Sequence, residues 1–513
     1  MRPFYITQWT KPKKAAIRLR KNVILTLINF QNSHKRVKTM LPWLTAQLET
    51  HPEKIGLYTI NQYWTIAEIA SEVDERAKRV MVFLSQNDKR VAILSHNSSD
   101  MYFLILALWS LGKEIVFLNT HLTTQELSYQ LEDSGVKTIF VADNLKEKNF
   151  NHVQLISFSD IHCQPLLDSI SYPTFSVDAT ASIMYTSGTT GKPKGVIQTF
   201  RNHLASSMGT QKNMNITAQD VWGCAVPMFH ISGLSIVVRQ LVIGCGVYLF
   251  EKFDAPLMSR LFKTGDITVS SVVNVMLKQL LPVYPKQGYS DKFKCLLVGG
   301  GPVSKEMLQD CFSKDIPVIQ SFGMTETCSQ VVALGYDDAL QKIGSSGLPL
   351  DGISLVIRKD DETCEPMEIG EILLSGPNIS PGYLNKSSSW TTDGYFKTGD
   401  LGYLDEDGYL YVVSRLSELI ISGGENIYPA EVEQCIASLF GIKEVAVVGE
   451  HDDTWGEVPV AYIVMDDTID IEKISETCLN SLAKYKCPKK YYVVDALPRT
   501  ASGKVAKRLL VNE

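Results

Sequence analysis

The sequence predicts an α/β protein with a large layered N-terminal domain, a β subdomain at the end of that domain, and a small α+β C-terminal domain. Three observations carry this reading. From residues 64 to 141, and again from 217 to 332, segments with helical spacing alternate with short apolar strands, as expected for strands layered between helices. Residues 343–413 change to short β segments punctuated by Gly370, Gly376, Pro381-Gly382, Asp393-Gly394 and Asp407-Gly408. After Arg415 helix and strand patterns return and continue to the end of the chain.

Taken in order, residues 41–48 read as an amphipathic helix and 67–84 have helical spacing; 90–94 form a strand, 101–111 an apolar helix and 115–118 a strand. An exposed helix over 124–133 and a strand over 138–141 follow. Residues 181–184 read as a strand leading into a Gly-rich loop, and 294–298 and 318–320 as buried strands. The expected organisation is residues 40–414 as the N-terminal domain, with its β subdomain at about 343–413, and 415–513 as the C-terminal domain.

Residues 1–39 stand apart: they carry ten Lys or Arg and no acid. Three readings are open: an over-long translated start with Met40 as the natural first residue, a targeting segment, or a functional basic arm. The remaining residues carry 40 basic against 56 acidic side chains, a net charge of −16 that exerts no general pull on nucleic acid. No apolar run reaches the length of a membrane span; residues 23–30, the best of them, are short and include Asn29. The ten cysteines are scattered without a C-x-x-C pair, which fits reduced thiols in a cytoplasmic protein and offers no zinc site.

The strongest motif is YTSGTTGKPKG at 185–195. Its glycines, hydroxyls and two lysines supply the N–H, O–H and cationic donors that cradle a polyphosphate, yet the order does not match a Walker A loop. SFGMTET at 321–327 sets a carboxylate beside a hydroxyl, suited to a hard cation such as Mg²⁺. KTGD at 397–400 followed by Arg415 offers a bidentate acceptor and a fixed donor fork, although Gly399-Asp400 is also ordinary turn chemistry. ISGGENIYPAE at 421–431 and PRTASGK at 498–504 complete the series.

These motifs, in this order, resemble the adenylate-forming superfamily of acyl-CoA synthetases, luciferase-type enzymes and peptide-synthetase adenylation domains, over about residues 41–513. The resemblance implies ATP and Mg²⁺ as cofactors, coenzyme A as co-substrate and a small mobile C-terminal domain pivoting at Ser417, where many members carry Asp or Lys. It implies that Thr186, Ser187, Gly188, Thr189, Thr190, Gly191, Lys192 and Lys194 hold the phosphates, and that Glu326 holds Mg²⁺ while Thr325 contacts the nucleotide. Gly300, Gly323 and Phe322 would border adenine, Phe322 standing where the family usually has Tyr. Asp400 and Arg415 would take the ribose, Gly423 and Gly424 would leave room for pantetheine, and Lys504 would be the catalytic lysine of adenylation.

PMFHISGLS at 227–235 lies where the family builds its acyl pocket. His230 is either a structural histidine or a gate beside the carboxylate. An amino-acid-activating domain would need an acid there, and the next acid is Glu251. A non-catalytic adenylate-binding protein would not need Lys504, Glu326 and Asp400 together. FHISGLS, LLVGGGPVS, QSFGMTETCSQ and RLSELIISGGENIYPAEVE further resemble the bacterial subfamily that activates 2-succinylbenzoate, an aromatic keto-diacid, in menaquinone biosynthesis. The alternative is a medium-chain or aryl acyl-CoA ligase. A second substrate carboxylate needs a donor; Arg239, nine residues beyond His230, is the candidate, with a solvated helix arginine as the other reading.

Overall fold

The computed structural model describes residues 40–510 except 86–87, 149, 187–192, 301–302, 336–337, 340, 386–388, 423–424, 467 and 501–503. The basic leader, most of the Gly-rich loop, and Gly423 and Gly424 therefore lie outside the described residues.

The described residues form four sheets. A seven-stranded sheet has at its centre the parallel strands Arg90–Leu94, Glu114–Leu118, Thr138–Val141 and Thr180–Thr186, and the antiparallel Lys194–Thr199 beyond them. A nine-stranded sheet runs parallel through Ile55–Tyr58, Gly246–Leu249, Val221–Cys224, Val269–Val272, Cys295–Val298 and Val318–Met324. Near-continuous apolar runs such as CLLV at 295–298, buried at every position, suit parallel strands covered on both faces. The helix Ser99–Ser110 is apolar on every side, and all residues from Met101 to Ser110 are buried, as an all-round apolar helix requires. Trp109 within it donates to the Ala181 carbonyl at 2.8 Å, tying the helix to the seven-stranded sheet.

Helix starts follow local chemistry. Thr65 and Glu68, and Thr123 and Glu126, make reciprocal capping boxes at the helices Ile66–Val80 and Thr124–Ser134. The helical pattern expected over 67–84 ends at Val80 and tightens into a 3₁₀ turn, Met81–Phe83. Most of the segment at 343–413 folds into an antiparallel five-stranded sheet that includes Phe396–Leu404 and Leu410–Arg415, while its short strands Leu348–Pro349 and Gly382–Tyr383 join the nine- and seven-stranded sheets. Asp400 lies inside the first of these strands, so the turn reading of that residue is replaced by a strand position. A small five-stranded sheet with the helices Pro429–Ala437 and Ile471–Ser481 makes up the C-terminal unit, with its own apolar core.

Candidate active site

The carboxyl ends of the parallel strands of both large sheets, where open α/β sheets bind ligands, carry Gly300 and Phe322, which sequence singled out, together with His96 and Asn119, which it did not. His96 and Asn119 follow Arg90–Leu94 and Glu114–Leu118; Gly299 and Gly300 follow Cys295–Val298; Phe322 lies near the end of Val318–Met324. Gly300 has φ +88°, which favours glycine at the exposed turn.

Asp400 and Arg415 are cross-strand partners in register, and Arg415 Nε lies 2.7 Å from Asp400 Oδ1. Asp400 is buried, and its Oδ2 has no partner among the described residues. A buried acceptor left open in this way fits a ligand that brings its own donors, such as the hydroxyls of a ribose. Burial pushes the Asp400 carboxyl up to about 6, helped by Glu326 and Glu418 and opposed by Arg415 and Lys504.

Glu326 sits on the short turn Thr325–Thr327 between two antiparallel strands. The turn is held from several directions. Gln198 Nε2 donates to the Thr325 carbonyl at 2.6 Å, the Ser380 N–H donates to the Glu326 carbonyl at 2.7 Å, and Ser206 Oγ donates to the Cys328 carbonyl at 2.6 Å. Cys328 and Ser329 hold φ values of +51° and +106°, a strained exit that the surrounding bonds maintain. At Gly323 the strands approach so closely that a Cβ would meet the Ser329 carbonyl at 2.1 Å. Tyr383 donates its hydroxyl to Glu326 Oε1 at 2.9 Å. An all-oxygen group of this kind, with one carboxylate oxygen already oriented, fits Mg²⁺.

Lys504 enters from the C-terminal unit on a hairpin closed by the bridge between Arg499 and Val505 and by a 2.7 Å bond from the Thr500 N–H to its own carbonyl. Loss of solvent around the ammonium and the Arg415 guanidinium lower its pKa, whereas Asp400 and Glu326 raise it, so Lys504 lies within electrostatic range of all three. Lys507, three residues on, bridges Glu418 and Glu433 at 3.0 and 2.7 Å and fastens this tail beside the turn Leu416–Glu418 that contains Ser417.

His230 occupies the N-cap of the helix Ile231–Ile243 without capping it, although Ser, Thr, Asp or Asn would be favoured there. Its Nε2 lies instead 3.5 Å from the Asn119 amide nitrogen. Burial, Lys504 and His121 pull its pKa down to about 4, so the ring is neutral at pH 7. Arg239, two turns along that helix, is 1 % exposed, which rules out the solvated reading. Its guanidinium lies 4.6 Å from the Trp222 ring centroid and donates to Ser329 Oγ at 3.1 Å, while Nε and Nη1 have no partner among the described residues. Burial pushes its pKa down to about 10.

The structure therefore brings together Lys504, Asp400, Arg415, Glu326 and His230, places Thr186 and Lys194 at the two ends of the Gly-rich loop, and sets Arg239 in the interior beneath the site-bearing hairpin. Asn119, Gln198 and Tyr383 escaped the sequence reading. The position of Asn119, just past a parallel strand, was the one available signal.

The chain belongs to the AMP-binding enzyme family, whose profile matches residues 44–384, with the AMP-binding enzyme C-terminal domain matching 431–504. It is 52% identical over 483 residues to 2-succinylbenzoate–CoA ligase of Enterococcus faecalis, covering 92% of this chain and 98% of that protein. Its structure is similar to o-succinylbenzoate CoA synthetase of Bacillus subtilis in complex with the acyl-adenylate intermediate OSB-AMP, at 40% identity and a TM-score of 0.87, over 91% and 97% of the two chains. ATP-bound MatB of Rhodopseudomonas palustris is also similar, at 27% identity and a TM-score of 0.82, over 91% and 97%.

Proposed function

We propose that this chain is a 2-succinylbenzoate–CoA ligase: it joins the acid to ATP as an acyl-adenylate, releases pyrophosphate, and passes the acyl group to coenzyme A with release of AMP. The observation that carries the reading is the in-register pair of Asp400 and Arg415, 2.7 Å apart with the buried Asp400 Oδ2 left open and with Lys504 and Glu326 within electrostatic range, supported by relatives of that activity along nearly the whole chain.

In the first half-reaction the substrate carboxylate attacks the α-phosphate, and catalysis is mostly positioning and charge stabilisation. Lys504 brings positive charge to the α-phosphate and carboxylate. Asp400 and Arg415 hold the ribose, Phe322, Gly323 and Gly300 border adenine, and Thr186, Lys194 and the intervening loop residues take the phosphates, with Thr325 beside them. Glu326 would hold Mg²⁺, which when bound neutralises phosphate charge. Neutral His230 stands beside the reacting carboxylate, and Arg239 is the donor for the distal carboxylate: its two open nitrogens, Nε and Nη1, deep in the protein, are what such a group would satisfy. In the second half-reaction the CoA thiol attacks the mixed anhydride past Gly423 and Gly424.

Residues 40–414 form the adenylation domain in this reading and 415–513 a mobile unit turning at Ser417. The substrates and the free thiols of the described cysteines support a cytoplasmic location, and the product would feed menaquinone biosynthesis. Incubation with ATP, Mg²⁺, CoA and 2-succinylbenzoate tests the reading. AMP, pyrophosphate and a CoA thioester are expected in equal amounts; release of ADP, or adenylate with no thioester, would overturn it.

A further inference from the structure

The side chain of Tyr383 touches two parts of the site at once. Its hydroxyl donates to Glu326 Oε1 at 2.9 Å, and Lys194 Nζ, at the end of the phosphate loop, lies 5.3 Å from its ring centroid. The backbone around it is secured independently. Gly382 and Tyr383 pair with Ile197 and Val196, the Leu384 N–H donates to the Gly195 carbonyl at 2.7 Å, and Ser380 reaches the Ile197 carbonyl through Oγ at 2.5 Å and the Glu326 carbonyl through its N–H at 2.7 Å. The hydroxyl is therefore not needed to hold the strand. A carboxylate with one oxygen fixed by a neutral donor presents the other in a set direction, the arrangement by which partners of metal ligands tune affinity. The aromatic face meanwhile gives Lys194 a favourable seat.

We propose that Tyr383 is a positioning residue that sets the Glu326 carboxylate for the divalent cation and couples it to Lys194 of the phosphate loop. This rests on the reading of Glu326 as the cation ligand. Mn²⁺ titrated into enzyme held in excess over ATP, with free ion counted by electron paramagnetic resonance, measures cation affinity directly. Calorimetry of ATP in EDTA measures nucleotide binding without metal. Tyr383→Phe is expected to weaken Mn²⁺ binding about tenfold while leaving metal-free ATP affinity and the melting temperature unchanged; Glu326→Gln should weaken Mn²⁺ at least as much. If Glu326→Gln weakens Mn²⁺ and Tyr383→Phe does not, the positioning role is wrong and the ligand reading stands. If Glu326→Gln has no effect, both fall. If Tyr383→Phe lowers metal-free ATP binding or the melting temperature along with Mn²⁺ affinity, the hydroxyl serves the fold and the proposal is overturned.

Discussion

The charges of the site come from two differently built regions. Asp400 and Arg415 face each other across adjacent strands in register, 2.7 Å apart, and Glu326 sits on a turn bonded to three neighbouring segments. Lys504 instead arrives on a short hairpin near the end of the chain, fastened by Lys507 to Glu418 and Glu433 within its own small unit. Strand register fixes the nucleotide side, while ion pairs at a turn fix the lysine side. In the proposed reaction the lysine carried by the C-terminal unit would serve the first half-reaction and be withdrawn for the second.

Breaking the lysine side has the largest expected effect. Lys504→Ala should slow pyrophosphate release by at least about 10²–10³-fold, typical of one transition-state donor. Thioester formation from supplied acyl-adenylate should persist in a single-turnover assay; equal loss in both would mean that the lysine is not specific to the first step. On the helix Ile231–Ile243, Arg239→Ala should lower kcat/KM for 2-succinylbenzoate roughly ten- to a few hundred-fold, because a buried carboxylate loses its partner. ATP affinity measured by calorimetry should not change.

The pH response separates the two histidine- and aspartate-centred contributions. Asp400 is raised to about 6 and His230 lowered to about 4. Asp400 must be ionised to accept two hydroxyls, so kcat/KM for ATP should fall about tenfold per unit as pH drops below 6, with no His230 titration between pH 6 and 8. For stability Asp400 acts with the opposite sign, because an acid whose folded pKa is raised loses its contribution as pH rises from 4 through 6; His230 and the buried His203, lowered by burial to about 4 and about 3, gain theirs over the same range and outweigh it, so the ligand-free enzyme should gain stability as pH rises from 4 through 6. Melting curves across that range check this. The smallest effect is expected far from both regions, where Thr65→Ala removes a helix cap at about 1 kcal/mol and should leave both half-reactions intact in the same assays.

Much of this was legible in sequence. The alternation of apolar strands and helices gave the strands at 90–94 and 138–141 with their observed bounds, and local motifs gave Asp400, Arg415, Glu326 and Lys504. What stayed hidden depends on distant partners. Tyr383 meets a residue 57 positions away, Asn119 one 111 away and Gln198 one 127 away, and apart from the place of Asn119 just past a strand nothing in their own neighbourhoods marks them. Arg239 was ambiguous because its helix, ISGLSIVVRQLVI, is apolar on most faces, so spacing could not show whether the guanidinium turned inward.

In the proposed function the buried Arg239 is the partner of the substrate's second carboxylate. The most direct test is kcat/KM, by pyrophosphate release, for 2-succinylbenzoate against benzoate and a medium-chain fatty acid. A preference of roughly ten- to a few hundred-fold for 2-succinylbenzoate is expected, the cost of leaving a buried charged donor unpaired. Comparable values for a mono-acid would contradict the assignment of Arg239 and of the substrate, and would leave acyl-CoA ligase chemistry on a simpler acid.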